Sequence, residues 1–193
     1  MINLILFGPP GAGKGTQSAK LIQKYSLTHI STGDLFRKHL KEGTPLGKMA
    51  QEYMNKGNLV PDQVVIDMVD DKISNSGQIS GIIFDGFPRT IPQAEALDRL
   101  LETKNAPIKI LVELVVPEDE LRKRLAERAV KENRPDDAKP EVIENRIAVY
   151  KAETAAVAEY YKKANKYASF VGVGEIEAIF RNICVEIDKS LLK

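Results

Sequence analysis

Residues 3–16 read NLILFGPPGAGKGT, and the rest of the chain is best approached from this stretch. Asn3 to Phe7 is a short apolar run stopped by Gly8-Pro9-Pro10, the pattern of a buried strand running into a turn. Gly8 to Thr16 then satisfies GxxxxGK. In such a loop the glycines let the backbone curl, so that successive N–H groups point into one concavity. The helix that follows adds the positive end of its dipole, and Lys14 brings a full charge to the outer phosphates of a bound nucleotide. A strand before the motif and a helical pattern after it supply the context that this mechanism requires. The hydroxyl comes one place late, because Gly15 stands where Ser or Thr is usual and Thr16 follows.

Four further short apolar runs continue outward, at residues 28–30, 82–85, 109–115 and 167–171. Segments of helical period separate them, at residues 16–25, 61–75, 90–104, 117–128, 140–164 and 175–191, several opened by proline. Buried strands alternating with helices predict an α/β fold with a parallel sheet. Two stretches break the alternation. Residues 31–60 carry two amphipathic helical patterns, 34–41 and 45–56, with no strand between them, which suggests a helical insertion. Residues 130–139, VKENRPDDAK, carry six charges and almost nothing to bury, so a solvated loop or lid is expected there.

Composition narrows the partners. Lys plus Arg number 28 against 27 Asp plus Glu, a net charge of +1, which argues against a nucleic-acid backbone or an anionic membrane as the main partner. Cys184 is the single cysteine and falls on an apolar stripe of helical spacing, so it reads as buried rather than catalytic. The apolar start has no basic n-region and no apolar run nears the ~18 residues of a membrane span. A cytoplasmic location is expected. A guanine-reading NKxD is absent, which weighs against a regulatory GTPase. Residues 82–85 end an apolar strand on Asp85, a carboxylate suited to Mg²⁺ or its waters beside phosphates.

The loop GPPGAGKGTQ, STGDLFR at residues 31–37, GNLVPD at 57–62 and FDGFPRTIPQA at 84–94 together resemble the adenylate kinases, nucleoside monophosphate kinases here in a short-lid form. The likeness runs in order from Ile2 to about Phe180. It implies an α/β fold of the P-loop NTPase type with a five-stranded parallel sheet flanked by helices, a single kinase domain over residues 1–193, an NMP-binding insertion at 31–60, a short lid at 127–137, and reversible transfer from MgATP to AMP giving two ADP. A UMP/CMP kinase and a nucleotide-binding module without turnover are the alternatives.

The resemblance also implies roles for particular residues. Gly11, Ala12, Gly13, Lys14, Gly15 and Thr16 would hold the ATP phosphates, with Gly174 in the loop over the ATP base. Thr32, Arg37, Asn58, Leu59, Val60, Gly86, Phe87, Pro88, Arg89 and Gln93 would hold AMP. Arg124 and Arg128 match a pair that meets ATP, and Arg134 and Arg146 match arginines that reach the phosphates and belong with the AMP-binding residues. Asp34 and Asp85 match acidic residues near the waters of Mg²⁺. Lys14, Asp85 and Arg89, with Arg124, Arg128, Arg134 and Arg146, form the implied catalytic set. Only nine arginines stand against 19 lysines, and six of the nine occupy resemblance positions. A planar guanidinium binds phosphate bidentately, which gives that bias a physical sense.

Thr32 and Gln93 resemble the AMP-reading pattern rather than the Ala and Asn common in UMP/CMP kinases. No cysteine lies between Arg128 and Arg146, so a zinc-bound lid is excluded. Asp137 to Arg146 is one position longer than a typical short lid, and Val171 precedes Gly172 where Asp is common. No general base is required, since an acceptor phosphate with a second pKa of about 6 is already mostly ionised. His29 and His39 accordingly read as structural. Small nucleotides are the expected partners and a monomer the expected state.

Overall fold

The strand read from residues 3–7 is β1 (Ile2–Phe7), the middle strand of the sheet. The computed structural model of the chain describes residues 1–77, 79–132, 134, 137 and 139–192. β2 (Thr28–Ser31), β3 (Gly81–Asp85), β4 (Ile108–Val115) and β5 (Tyr167–Val171) complete a five-stranded parallel sheet in the order β2-β3-β1-β4-β5. Ile5 of β1 pairs with Phe84 on one side and Leu111 on the other. Covered on both faces, the central strands are apolar almost without interruption, as parallel sheets require.

Successive side chains of β1 enter opposite layers. Ile5 and Phe7 pack with α4 (Asp62–Ser74), α5 (Ile91–Glu102) and α8 (Ala156–Lys163). Leu4 and Leu6 pack with α1 (Lys14–Tyr25), α6 (Glu118–Lys131) and α9 (Ile176–Leu191), where Cys184 is buried as its stripe implies. Between β2 and α4 lie α2 (Thr32–Lys41) and α3 (Pro45–Met54). The Ser31 hydroxyl accepts from the Asp34 amide at 3.3 Å and the Thr44 hydroxyl from the Gly47 amide at 3.1 Å, which caps each helix of this pair.

The chain leaves β1 for β2, returns through β3 beside β1, and crosses to β4 on the far side. The connections that leave the adjacent strands β1 and β3 run in opposite directions, and a crevice opens at the carboxyl ends of these two strands.

Four expectations change. The helix expected over 140–164 is α7 (Pro140–Val149), a π-helical turn at Tyr150–Thr154, and then α8. Apolar spacing continues through the turn, so one inserted residue leaves little trace in sequence. The Tyr150 ring packs 5.7 Å from Phe7, and its hydroxyl donates to Glu113 at 3.0 Å. Helix α6 runs to Lys131, beyond residue 128, and α1 begins two residues early, at Lys14. The charged stretch 130–139 also buries something: Asp137 is 1% exposed. Asn133, Pro135, Asp136 and Ala138 of that stretch lie outside the described residues.

Candidate active site

Helix α1 starts directly from the phosphate loop. Gly13 occupies its N-cap at φ 92°, a left-handed conformation that glycine adopts without strain, and no side chain caps the helix. Its leading amides therefore remain available to an anion. Lys14 Nζ donates to the carbonyls of Gly8 at 2.7 Å and Pro9 at 3.0 Å, so the ammonium is held over the loop that would cradle phosphate. Desolvation is the main reason that its pKa is lowered to about 8. Asp85 opposes the shift, and Arg89, Arg128 and Arg146 add to it.

Two cavities open around this lysine. One is lined by Pro10 to Thr16, Asp34, Asp85, Arg124, Arg128 and Arg134. The other is lined by Thr32, Asn58, Leu59, Val60, Phe87, Pro88 and Gln93, with Phe36, Val65 and Tyr150 among its apolar walls. Lys14, Arg37, Gly86, Arg89 and Arg146 line both. The structure thus gathers the residues singled out in sequence along one continuous cleft. Gly174 is the exception, lining neither cavity.

In the second cavity, Gln93 is 1% and Thr32 3% exposed. Gln93 Oε1 accepts from the Arg89 amide at 2.8 Å while its Nε2 donates to Asp62 at 2.7 Å, which fixes the direction of the side chain. Each end of the carboxamide keeps one further hydrogen-bonding position, suited to the edge of a base. The Thr32 hydroxyl and Arg89 Nε both donate to the Gly86 carbonyl at 2.8 Å. Asp62 was readable only as the end of GNLVPD; its hold on Gln93 joins residues distant in sequence.

In the first cavity, Arg128 Nε donates to Asp137 at 2.7 Å and Arg146 takes the other carboxylate oxygen. One buried carboxylate therefore gathers two guanidinium groups that sequence offers only as separate cations. Arg128 Nη2 is buried without an aligned acceptor, although it lies 2.6 Å from the Asp137 carboxylate. Arg124 donates to Glu120 at 2.7 Å and to the Gly172 carbonyl at 2.9 Å, joining α6 to the loop after β5. Arg134 pairs with Glu132 at 2.6 Å. Arg122, in contrast, spends itself on Glu118, Asp119 and Glu144 at the surface.

Asp85 ends β3 in the cavity wall, and Asp34 stands across from it on α2. Burial works to raise the Asp34 carboxyl, but the hydrogen bond and charge of Arg37 outweigh it and hold the group below the usual range. Two carboxylates lining one cavity are an all-oxygen donor set, which fits a hard divalent cation that keeps several waters. His29 lines the same cavity, with a buried Nε2 lacking a hydrogen bond 3.7 Å from the Asp85 carboxylate. His39 is structural as read, its Nδ1 lying 3.2 Å from the Thr44 hydroxyl.

Comparison with known proteins agrees with this geometry. The adenylate kinase family profile matches residues 6–166. The adenylate kinase of Bacteroides fragilis is 45% identical over 188 residues, covering 97% of this chain and 99% of its own. That of Bacteroides thetaiotaomicron is 43% identical over 189 residues, covering 98% and 100%. That of Parabacteroides distasonis is 46% identical over 183 residues, covering 95% and 96%.

Proposed function

This chain belongs to the adenylate kinase family, and from that premise we propose how its cleft transfers the γ-phosphoryl group of MgATP to AMP, giving MgADP and ADP. The single observation that carries the assignment is the meeting of two cavities at Lys14, Arg37, Arg89 and Arg146. A donor whose phosphates lie on the loop and an acceptor whose base lies against Gln93 would bring their phosphates together at those four cations.

MgATP and AMP each carry about two negative charges near pH 7, and opposing charge on several sides offsets their repulsion once water is excluded. Loop amides and Lys14 hold the donor's β- and γ-phosphates, while Arg89 and Arg37 hold the acceptor phosphate. An acceptor oxygen attacks the γ-phosphorus as the bond to the bridging oxygen breaks, and Arg128, Arg134 and Arg146 stabilise charge on the transferring group. The acceptor is already ionised, so no side chain need remove a proton. Catalysis is then mainly alignment and electrostatic stabilisation.

Kinases of this family use a divalent metal; we assign it as Mg²⁺, placed by Asp85 and Asp34 through waters. When bound, it would neutralise charge on the donor phosphates. Residues 31–60 are assigned as the acceptor-binding insertion, and residues 127–137 as a lid that excludes water on closing.

The cleft is complete within one chain, which supports a monomer. No helix among the described residues is long and apolar enough to cross a membrane. With one buried free cysteine, this suits our assignment to the cytoplasm.

Steady-state ADP formation from ATP with AMP, CMP, UMP or GMP tests the assignment. Turnover should be fastest with AMP. Faster turnover with CMP or UMP would make the protein a UMP/CMP kinase, and tight nucleotide binding without ADP formation would make it a binding module.

A further inference from the structure

Asn145 lines neither cavity and belongs to none of the motifs, yet it precedes Arg146 on α7. Its Nδ2 donates to the Lys56 carbonyl at 2.7 Å and to Asn58 Oδ1 at 2.8 Å. A backbone carbonyl can only accept, so the Lys56 bond settles which end of the Asn145 amide faces the turn. That orientation in turn requires Asn58 to present its oxygen. Both partners of Asn145 are therefore acceptors, and the position calls for a side chain carrying two protons.

Packing beneath these bonds is close. Gly57 has φ +75°, and a Cβ there would stand 2.9 Å from both Arg146 Cγ and the Val142 carbonyl. Only glycine takes that conformation while letting the turn lie directly on α7. Upstream of the turn runs α3; downstream come Asn58, Leu59 and Val60, which line the acceptor cavity. On the helix side, Arg146 lines both cavities. One amide thus spans the exit of the insertion and the helix that carries a phosphate-facing arginine.

We propose that Asn145 is a positioning residue for the acceptor nucleotide, holding the 56–58 turn on α7 so that residues 58–60 and Arg146 keep one register. It acts through the Lys56 carbonyl and Asn58 and touches no substrate. The inference rests on the assignment of residues 58–60 and Arg146 to the acceptor site.

Asn145→Ala removes both donors, and Asn145→Asp removes them at constant shape while placing a carboxylate against two acceptor oxygens. Losing two exposed hydrogen bonds should loosen the turn without unfolding the chain. Steady-state kinetics with AMP and ATP varied separately, together with thermal unfolding in the absence of nucleotide, read the difference. In both variants the KM for AMP should rise roughly five- to tenfold. The KM for ATP and kcat should stay within about twofold, and the melting midpoint within about 2 °C. An unchanged KM for AMP, or KM values for AMP and ATP that rise together, would overturn the proposal. If wild-type protein forms ADP from AMP and the variants match it, this inference alone fails; if wild type forms none, the acceptor-site assignment beneath it fails as well.

Discussion

Arg128 Nε donates to one oxygen of the Asp137 carboxylate at 2.7 Å while Arg146 binds the other, and Asp137 itself is 1% exposed. This carboxylate supplies one buried negative charge between the two guanidiniums and offsets their mutual repulsion. Asp137→Asn preserves the shape and deletes a buried negative charge that both guanidiniums contact. The arginines keep some contact with water, so the loss should be about 2–3 kcal/mol, below the range for a fully buried pair. Denaturant unfolding of the nucleotide-free protein should show that loss. Saturating ADP should stabilise the variant more than wild type, because nucleotide phosphate supplies the missing anion. Equal unfolding curves for the two proteins without nucleotide would show that Asp137 does not hold the arginines together.

Lys14 supplies the second test. Removing its ammonium from phosphates withdraws charge stabilisation that the transition state needs, so Lys14→Met should fold normally and lose at least ~10²-fold in turnover. Near-normal turnover would refute the loop assignment.

The pH dependence of Lys14 follows from its burial. Its pKa of about 8 in the folded protein lies below the ordinary lysine value of 10.5, so the folded state releases this proton first as pH rises. Between those two values the unfolded chain binds more protons, and the penalty of burying the ammonium is relieved. Lys14 thus opposes folding below pH ~8 and ceases to do so progressively above it. Activity runs the other way. The kcat/KM for ATP should fall as pH rises through about 8, because the free enzyme loses the charge that meets the phosphates. ATP binding near that pH should take up a proton, measurable by calorimetry in buffers of different ionisation enthalpy. Proton uptake indistinguishable between wild type and Lys14→Met would assign the titration to another group.

These features differ in how far sequence displays them. The strand, loop and start of α1 are contiguous, and each glycine, proline and lysine has a local reason to be there, so the core of the fold and the phosphate site are readable over residues 3–16. The stripe through Cys184 is readable for the same reason, since helical spacing is local. Asp137 is not, because in sequence it belongs to a charged loop, and only packing brings Arg128 of α6 and Arg146 of α7 to it. The π-helical turn at Tyr150–Thr154 is hidden because inserting a residue between two helices preserves apolar spacing on either side. Asn145 carries no motif at all: its partners are a backbone carbonyl and an amide more than eighty residues away.

Arg89 combines a local and a distant role. Its Nε donates to the Gly86 carbonyl at 2.8 Å and its own amide donates to Gln93, so the guanidinium is held where the cavities meet. Arg89→Ala leaves the backbone bond to Gln93 in place and removes the charge facing the acceptor phosphate. The kcat/KM for AMP should fall by at least ~10²-fold with little change in melting temperature. Unchanged KM and kcat for AMP would show that another cation holds the acceptor.

Gln93 tests acceptor choice. Asn at this position, as in the similar UMP/CMP kinases, draws the carboxamide back by one methylene, so it cannot keep both the Asp62 carboxylate and the Arg89 amide as partners. A polar group displaced in a site only 1% exposed leaves neighbours unsatisfied, and an adenine edge would meet the same mismatch. Gln93→Asn should therefore lower kcat/KM for AMP by roughly tenfold or more while changing that for CMP less, reducing the ratio between them. The KM for ATP should hold, because Gln93 lines only the acceptor cavity. Competition assays with both acceptors present measure the ratio directly. A ratio equal to that of wild type would remove Gln93 from base selection and leave it as a bridge between Asp62 and Arg89.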